Sequence, residues 1–319
     1  MLWILEDNKL LTKNQIGVMY MIASVICFSI MDICVKWLDY YPVGQVLFLR
    51  FFIGFIPIFF IIPKSRFLDF YKTSRPGLHA FRAVCGALAI IALFFGLREL
   101  PLADVVSLTF GGPIFVTVAS IFFLSERVGI KRWSAVLLGF IGMLLIVQPA
   151  FSDVNYYYIS PIIFCIFFAC VAISVRSLSK TEPNYRIAFY FTVLCSILGL
   201  VTILKGDWVL PTKIDLAIFV IMGLCGSIAN LLLTQSYRLA EASLVTPIKY
   251  LSLIFAIVFG FLIWSEIPKL LTLFGALLVI ASSLIIFMRE NKLKKQIVNT
   301  RAWANHQVTG AKLKKFYLK

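Results

Sequence analysis

The chain has 319 residues, of which 61% are hydrophobic and 14% charged, with a formal net charge of +15. Soluble domains carry about 25% charged residues, so this composition excludes an ordinary globular protein. The positive charge is read as marking cytoplasmic loops, and nucleic acid is not expected as a partner.

In chain order, apolar runs between polar breaks predict spans at 16–38, 43–62, 79–98, 102–124, 132–149, 156–176, 186–204, 214–237, 243–264 and 270–288. Each approaches the roughly 20 residues needed to cross a bilayer. The turns carry breakers at Tyr41-Pro42, Pro63-Lys64, Pro149, Pro183-Asn184, Pro211 and Pro268. The first run holds Asp32 and Lys36 and lacks a small-residue cleavage pattern, so it reads as a span and not as a leader.

Basic residues set the expected orientation. Lys64, Arg66, Lys72, Arg75, Arg127, Lys131, Arg132, Arg176 and Lys180 fall on the side that also holds both termini, which predicts cytoplasmic ends. Residues 1–15 are then a cytoplasmic N-terminus. Residues 289–319 form a basic tail expected to lie on the anionic inner leaflet.

The stretch 85–126 reappears without a gap as 225–266. Matching positions hold Cys85-Gly86 and Cys225-Gly226, Arg98 and Arg238, Val105 and Val245, and Ser125-Glu126 and Ser265-Glu266. Residues 16–149 and 156–288 are therefore read as two repeats. Five spans in each is an odd number, so the repeats enter the membrane in opposite senses, the usual build of a secondary transporter. The expected fold class is an all-α membrane protein of ten transmembrane helices.

Charged residues inside spans need a partner, a wet cavity or a function. Asp32 has two readings, an intrahelical pair with Lys36 four residues on, or a cavity carboxylate for a cation or proton. Arg50, at mid-span, is read either as a ligand for a substrate carboxylate or as a partner of Asp32. Arg82, near the start of its span, is assigned a structural or gating role. Lys249 follows Thr246-Pro247, where proline frees backbone carbonyls, and Tyr250 offers a ring face. Glu126 and Glu266 are assigned to turns, with Ser125 and Ser265 capping the following helices. Gly111-Gly112-Pro113 and Pro247 break related spans, which points to a midplane substrate site. Asn230, Gln235 and Tyr237 would complete a polar lining. Trp264, Tyr20 and Phe28 are stacking candidates.

All seven cysteines lie in apolar segments with no CxxC spacing, and only His79 and His306 exist, so neither a disulfide framework nor a metal centre is expected. No cofactor is expected. The enzyme motifs GxGD, HExxH and GxSxG are absent from the sequence, as is a P-loop for ATP.

Arg82, Arg98 through Pro101-Leu102-Ala103-Asp104, Gly112-Pro113, Ser125-Glu126, Leu244-Val245-Thr246-Pro247 and Ser265-Glu266 resemble the drug/metabolite transporter superfamily in its ten-helix form with two EamA-type repeats. The resemblance covers about residues 15–290. The stretch from Gly17 to Trp37 and Pro42-Val43-Gly44-Gln45 leading to Arg50 resemble the S-adenosylmethionine uptake carriers of obligate intracellular bacteria. This resemblance implies exchange of S-adenosylmethionine for S-adenosylhomocysteine across the bacterial inner membrane. An amino-acid, metabolite or cationic-drug exporter of the same superfamily is the alternative. Membrane lipids are an expected partner, and a homodimer stays open.

Overall fold

The computed structural model describes residues 13–60, 71–124, 130–147, 155–178, 181–202, 208–240, 245–285 and 288. All regular structure among them is helical. In order these are α1 (Lys13–Trp37), α2 (Val43–Phe59), α3 (Pro76–Glu99), α4 (Leu102–Thr109), α5 (Gly112–Leu124), α6 (Ile130–Val147), a 3₁₀ turn (Tyr156–Tyr158), α7 (Ile159–Leu178), α8 (Asn184–Val201) and α9 (Lys213–Leu239). A second 3₁₀ turn (Thr246–Tyr250), α10 (Leu251–Trp264) and α11 (Leu270–Ile285) follow. Five stretches are long and apolar enough to cross a membrane: Lys13–Trp37, Pro76–Glu99, Leu102–Ala119, Tyr156–Val175 and Lys213–Tyr237. Five more, such as Val43–Phe59 and Leu270–Ile285, are apolar but shorter.

The polarity of the bundle is inverted relative to a soluble protein. Leu210, Phe60 and Ile130 are at least 85% exposed, whereas Lys36, Gln45, Arg50, His79 and Asp104 are buried. Apolar side chains facing outward suit a lipid environment, and the buried polar groups must be satisfied from within.

Helix contacts come in related pairs. α1 packs on α9 as α3 packs on α7, and α2 packs on α9 as α3 packs on α8. α2 meets α8, and α4 meets α10. Counted from the start of each half, each of these contacts between halves maps onto another or onto itself, the pattern of a pseudo-two-fold axis. Small residues allow these close crossings. A Cβ at Gly142 of α6 would stand 2.7 Å from the Gly275 carbonyl of α11, and one at Gly275 would stand 2.6 Å from the Gly142 carbonyl. Serines tie the halves further: Ser24 Oγ donates to Ala229 O at 2.8 Å, Ser236 Oγ to Gly17 O at 2.6 Å and Ser282 Oγ to Ala135 O at 2.6 Å.

The span expected at 102–124 is two helices. Pro113 has no N–H to give the Thr109 carbonyl, so α4 stops at Thr109 and α5 starts at Gly112. The Cys165 thiol lies 3.4 Å from the Leu108 carbonyl, and Ser283 Oγ donates to Phe110 O at 2.8 Å. The span expected at 243–264 likewise begins as a 3₁₀ turn with Pro247 in its first turn and becomes α-helical at Leu251. The two breaks touch: the Phe110 and Tyr250 rings, 140 positions apart, meet edge to face at 4.9 Å.

Overpacking the α6–α11 crossing should be felt at once. Gly142→Val is expected to destabilise by about 1–3 kcal/mol, read as a lower melting temperature in detergent. Gly77→Ala, where a Cβ would meet nothing within 4 Å, is the control expected to leave α3 close to unchanged.

Candidate functional site

Two features of opposite character lie at the two ends of the bundle. At one end, where α1, α3 and α10 finish, the structure is latched. Lys36 Nζ lies 2.5 Å from Glu266 Oε1 and donates to Leu100 O at 2.6 Å. The other Glu266 oxygen, Oε2, accepts from Leu102 N at 2.9 Å. Lys36 also sits over the Trp264 ring at 5.3 Å, and Trp37 meets Trp264 edge-on at 6.4 Å. One ion pair therefore joins α1 of the first half to the end of α10 in the second.

Local backbone aims Glu266. Ser265 has φ 55°, a left-handed conformation uncommon for a residue with a side chain. Its N–H bonds Phe261 O, and Glu266 N–H bonds Gly260 O, both at 3.0 Å. This is a Schellman stop, and it turns Glu266 back over its own helix. Ser265 thus ends α10 and does not cap α11, which starts only at Leu270. Lys36 pairs with Glu266 and not with Asp32, which corrects the intrahelical reading. Glu126 lies outside the described residues.

The same end carries further ties. Tyr40 and Tyr41 hydroxyls donate to Asp215 Oδ2 at 2.5 and 2.9 Å, and Thr212 caps α9 beside them. The hydrogen bond to Asp215, and the Tyr41 phenol beside it, push the Tyr40 hydroxyl's pKa up. Tyr158 donates to the buried Asp104 carboxylate, and Gln45 holds the Val209 backbone through both its amide atoms.

Toward the other end the helices part around a cavity of about 330 Å³ between α2, α3, α7, α8 and α9. Arg50, Arg82, Phe191, Thr192, Asn230 and Gln235 are among its lining residues, and among the described residues no acidic side chain lines it. Arg50 is 7% exposed, and its Nη1 has no hydrogen-bond partner; Nε and Nη1 of Arg82 have none either. Aromatic faces support both guanidiniums. Arg82 stacks 3.7 Å from the Phe191 centroid, Phe191 meets Phe51 edge-on at 5.1 Å, and Arg50 lies 5.0 Å from Phe51. The result is a ladder of cation, ring, ring and cation, each rung an attractive pairing. It holds two positive charges with unpartnered N–H donors beside the cavity, an arrangement suited to an anionic group.

The repeated glycines flank this ladder. A Cβ at Gly226 would come within 3.3 Å of Arg50 Nε, and one at Gly86 within 2.5 Å of the Phe191 ring. Ser227 Oγ donates to Gly54 O at 2.7 Å, closing α9 on α2 beside the cavity.

Of the residues singled out in the sequence, the cavity gathers Arg50, Arg82, Asn230 and Gln235. Asn230 donates its amide to Gly226 O at 2.9 Å. Asp32 lies in an adjoining crevice, in electrostatic reach of Arg50 but without an ion pair between them. Lys249 sits 5.3 Å over the Tyr237 ring, and Tyr250 packs on Phe110, both away from the cavity. Trp264 belongs to the latch, and Phe28 packs partly buried on the main apolar core. Pro113 and Pro247 start α5 and the second 3₁₀ turn. Phe191, Thr192, Tyr185, Ser227 and Thr234 also line the cavity and were missed. The Gly223, Gly226, Ser227 spacing on α9 was the available signal, because small residues there bring α2 close.

A helical bundle with outward apolar faces, buried charges, two related halves and an arginine-bearing cavity between them is the build of a membrane carrier. The chain belongs to the EamA-like transporter family, which matches it twice, at residues 15–148 and 156–288. It is a transporter and not an enzyme. The S-adenosylmethionine uptake transporter of Rickettsia bellii is 26% identical over 89% of this chain and 98% of the relative. A riboflavin transporter of Rhizobium johnstonii is 27% identical over 89% and 95%, and the pseudopaline exporter CntI of Pseudomonas aeruginosa 26% over 85% and 95%. One solved crystal structure superposes with a TM-score of 0.58 at 15% identity, covering 85% of this chain and 97% of the other. That likeness speaks to the fold alone.

Glu266→Gln keeps an oxygen for Leu102 N–H but leaves the Lys36 ammonium without its counter-charge. The latch should then open more often. Labelling of a cysteine placed at the crevice residue Val106 by a membrane-impermeant thiol reagent should rise in this variant. Outside the membrane-crossing stretches, Glu182 resists burial, which favours its neutral form, through hydrogen bonds from Arg186 at 2.6 Å and Thr73 at 2.7 Å; the net effect holds its pKa below the usual carboxylate range. A depressed folded pKa gives stability that is present above the usual carboxylate range and lost as pH falls through the folded value. Acid melting curves of Glu182→Gln should lack that part of the loss.

Proposed function

We propose that the protein is a secondary-active carrier that imports S-adenosylmethionine across the bacterial inner membrane in exchange for S-adenosylhomocysteine, by alternating access. Ten spans with both termini cytoplasmic put the cavity mouth on the cytoplasmic side and the latch on the outer side. The basic loops and tail support that orientation. Residues 16–149 and 156–288 act as two inverted repeats that rock about the cavity, with the breaks at Pro113 and Pro247 as the points that yield.

The observation that carries this reading is the pair of guanidiniums on the aromatic ladder, each with N–H groups that have no hydrogen-bond partner. Arg50 and Arg82 take the substrate carboxylate. The Phe51 and Phe191 side chains and the Thr192, Asn230 and Gln235 groups accommodate the nucleoside. Asp32 is the carboxylate within electrostatic reach of this site and answers a positive group of the substrate. Lys36, Glu266 and Trp264 form the outer gate. The names of the Rickettsia relatives support the particular substrate.

A second reading stays within the superfamily: export of another carboxylate-bearing metabolite. The two guanidiniums at the cavity, with no acidic side chain among its described lining residues, favour it over export of cationic drugs. Proteoliposome uptake separates the two. Labelled S-adenosylmethionine should enter faster when S-adenosylhomocysteine is preloaded, and a decarboxylated analogue should fail to compete. Uptake of neither compound by folded protein would transfer the assignment to the second reading. Each of Arg50→Gln and Arg82→Gln removes charge-assisted bonds worth about 1.5–3 kcal/mol, so uptake should fall roughly 10- to 100-fold while the melting temperature holds.

A further inference from the structure

Tyr185 stands in the first turn of α8 and lines the cavity. Its hydroxyl is buried and has no hydrogen-bond partner. A hydroxyl in that position has given up water and gained no bond in return, which is unfavourable. Phenylalanine would fill nearly the same space without that cost. A partner that the chain does not supply has to come from a rearrangement of the chain or from a ligand.

The surroundings favour a ligand. The turn that carries Tyr185 is anchored on its neighbours. Arg186 bonds Glu182 at 2.6 Å, and Thr73, from the segment before α3, bonds the other Glu182 oxygen at 2.7 Å. The Tyr190 hydroxyl, one turn further on, donates to Tyr71 O. A hydroxyl on an anchored turn is held ready for an incoming group. Across the cavity on α9, Ser227 and Thr234 have spent their hydroxyl hydrogens on the carbonyls of Gly54 and Asn230, at 2.7 and 2.9 Å. Tyr185 has not.

Its position separates it from the guanidiniums. Tyr185, Ala188 and Thr192 all line the cavity, and spacings of three and four residues put them on one face of α8. Along that helix, Tyr185 is six residues, about 9 Å, from Phe191, the ring on which Arg82 stacks. A ligand with its carboxylate at the guanidiniums presents a different part of itself to the start of α8. The chemistry differs too. A guanidinium only donates, whereas a phenol both donates and accepts. A phenol suits a group with donors and acceptors side by side, such as the hydroxyls of a ribose or the edge of a purine.

We propose that Tyr185 is a specificity-determining residue, its hydroxyl bonding the nucleoside part of the substrate while Arg50 and Arg82 hold the carboxylate. This rests on the reading that the cavity takes S-adenosylmethionine. It gives Tyr185→Phe a signature that a residue serving only the fold would not have: no loss of stability, together with weaker binding.

Two measurements on the full chain test it. In detergent without substrate, Tyr185→Phe should melt at the wild-type temperature or above. S-adenosylhomocysteine should raise the melting temperature of wild type, and that of Tyr185→Phe by less. In proteoliposomes the variant's KM for S-adenosylmethionine should rise roughly 3- to 10-fold, the worth of one neutral hydrogen bond, with the maximal rate nearly unchanged. Among analogues of S-adenosylhomocysteine that each lack one ribose hydroxyl or one purine nitrogen, at least one should bind wild type and variant alike, because the bond is already lost. Equal KM and equal melting shifts in the two proteins overturn the proposal and leave the substrate reading standing. A lower melting temperature of Tyr185→Phe without substrate overturns it as well, since the hydroxyl would then serve the fold. So does a lower maximal rate at unchanged KM, which would assign the hydroxyl to the conformational change, or a set of analogues that all still distinguish the two proteins. If wild type shows neither uptake nor a melting shift, the substrate reading fails first and takes this assignment with it.

Discussion

A charge inside an apolar bundle has to be paired or wetted, and this structure separates its buried charges by that rule. Lys36 finds Glu266, a carbonyl and an aromatic face, and closes one end. Arg50 and Arg82 find ring faces and a cavity, with no ion pair to either among the described residues. The unfavourable burial of unpartnered charge in hydrocarbon is what makes the first arrangement a closure and the second a receptor. The same chain therefore presents a latched end and an open cavity at once.

Under the proposed function, the repeat is what makes that asymmetry reversible. Small residues and serine-to-carbonyl bonds bring helices of the two halves close together, beside the ring and ion-pair contacts at the ladder and the latch. The breaks in the two halves meet ring to ring at Phe110 and Tyr250. In the proposed alternating-access cycle, the interruptions at related places are the joints on which one half would tilt against the other. The Ser265–Glu266 stop shows how local backbone serves this: a left-handed residue places a carboxylate where the opposite half can reach it.

Much of the fold was legible because span length, breakers and the 140-residue shift are one-dimensional signals. The break after Thr109 was marked by Gly111-Gly112-Pro113, and Arg50 by its depth in an apolar run. What the sequence hid was pairing. Lys36 looked like a partner for Asp32 because four residues is a helical spacing, yet its partner is 230 positions away. Trp264 looked like a ring for substrate, and only the turn after α10 shows it facing Lys36. Phe191 and Thr192 carried no signal, being ordinary residues of an apolar helix until α3 and α9 pack beside them. Gly86 and Gly226 were visible as a repeat, but their use, as the space beside a guanidinium and the ring it stacks on, needed three dimensions.

The central claim is that closure at one end and opening at the other exchange with each other. Spin labels on a cysteine-free background can report both ends, at Trp37 and Ile267 for the latch and at Phe60 and Thr181 for the mouth, all exposed positions. Pulsed electron-electron distances in lipid, with and without saturating transported substrate, are the direct measurement. The account predicts two distance populations at each end whose weights shift in opposite senses, the latch pair widening as the mouth pair narrows. Distances that stay fixed, or that widen together at both ends, would contradict it.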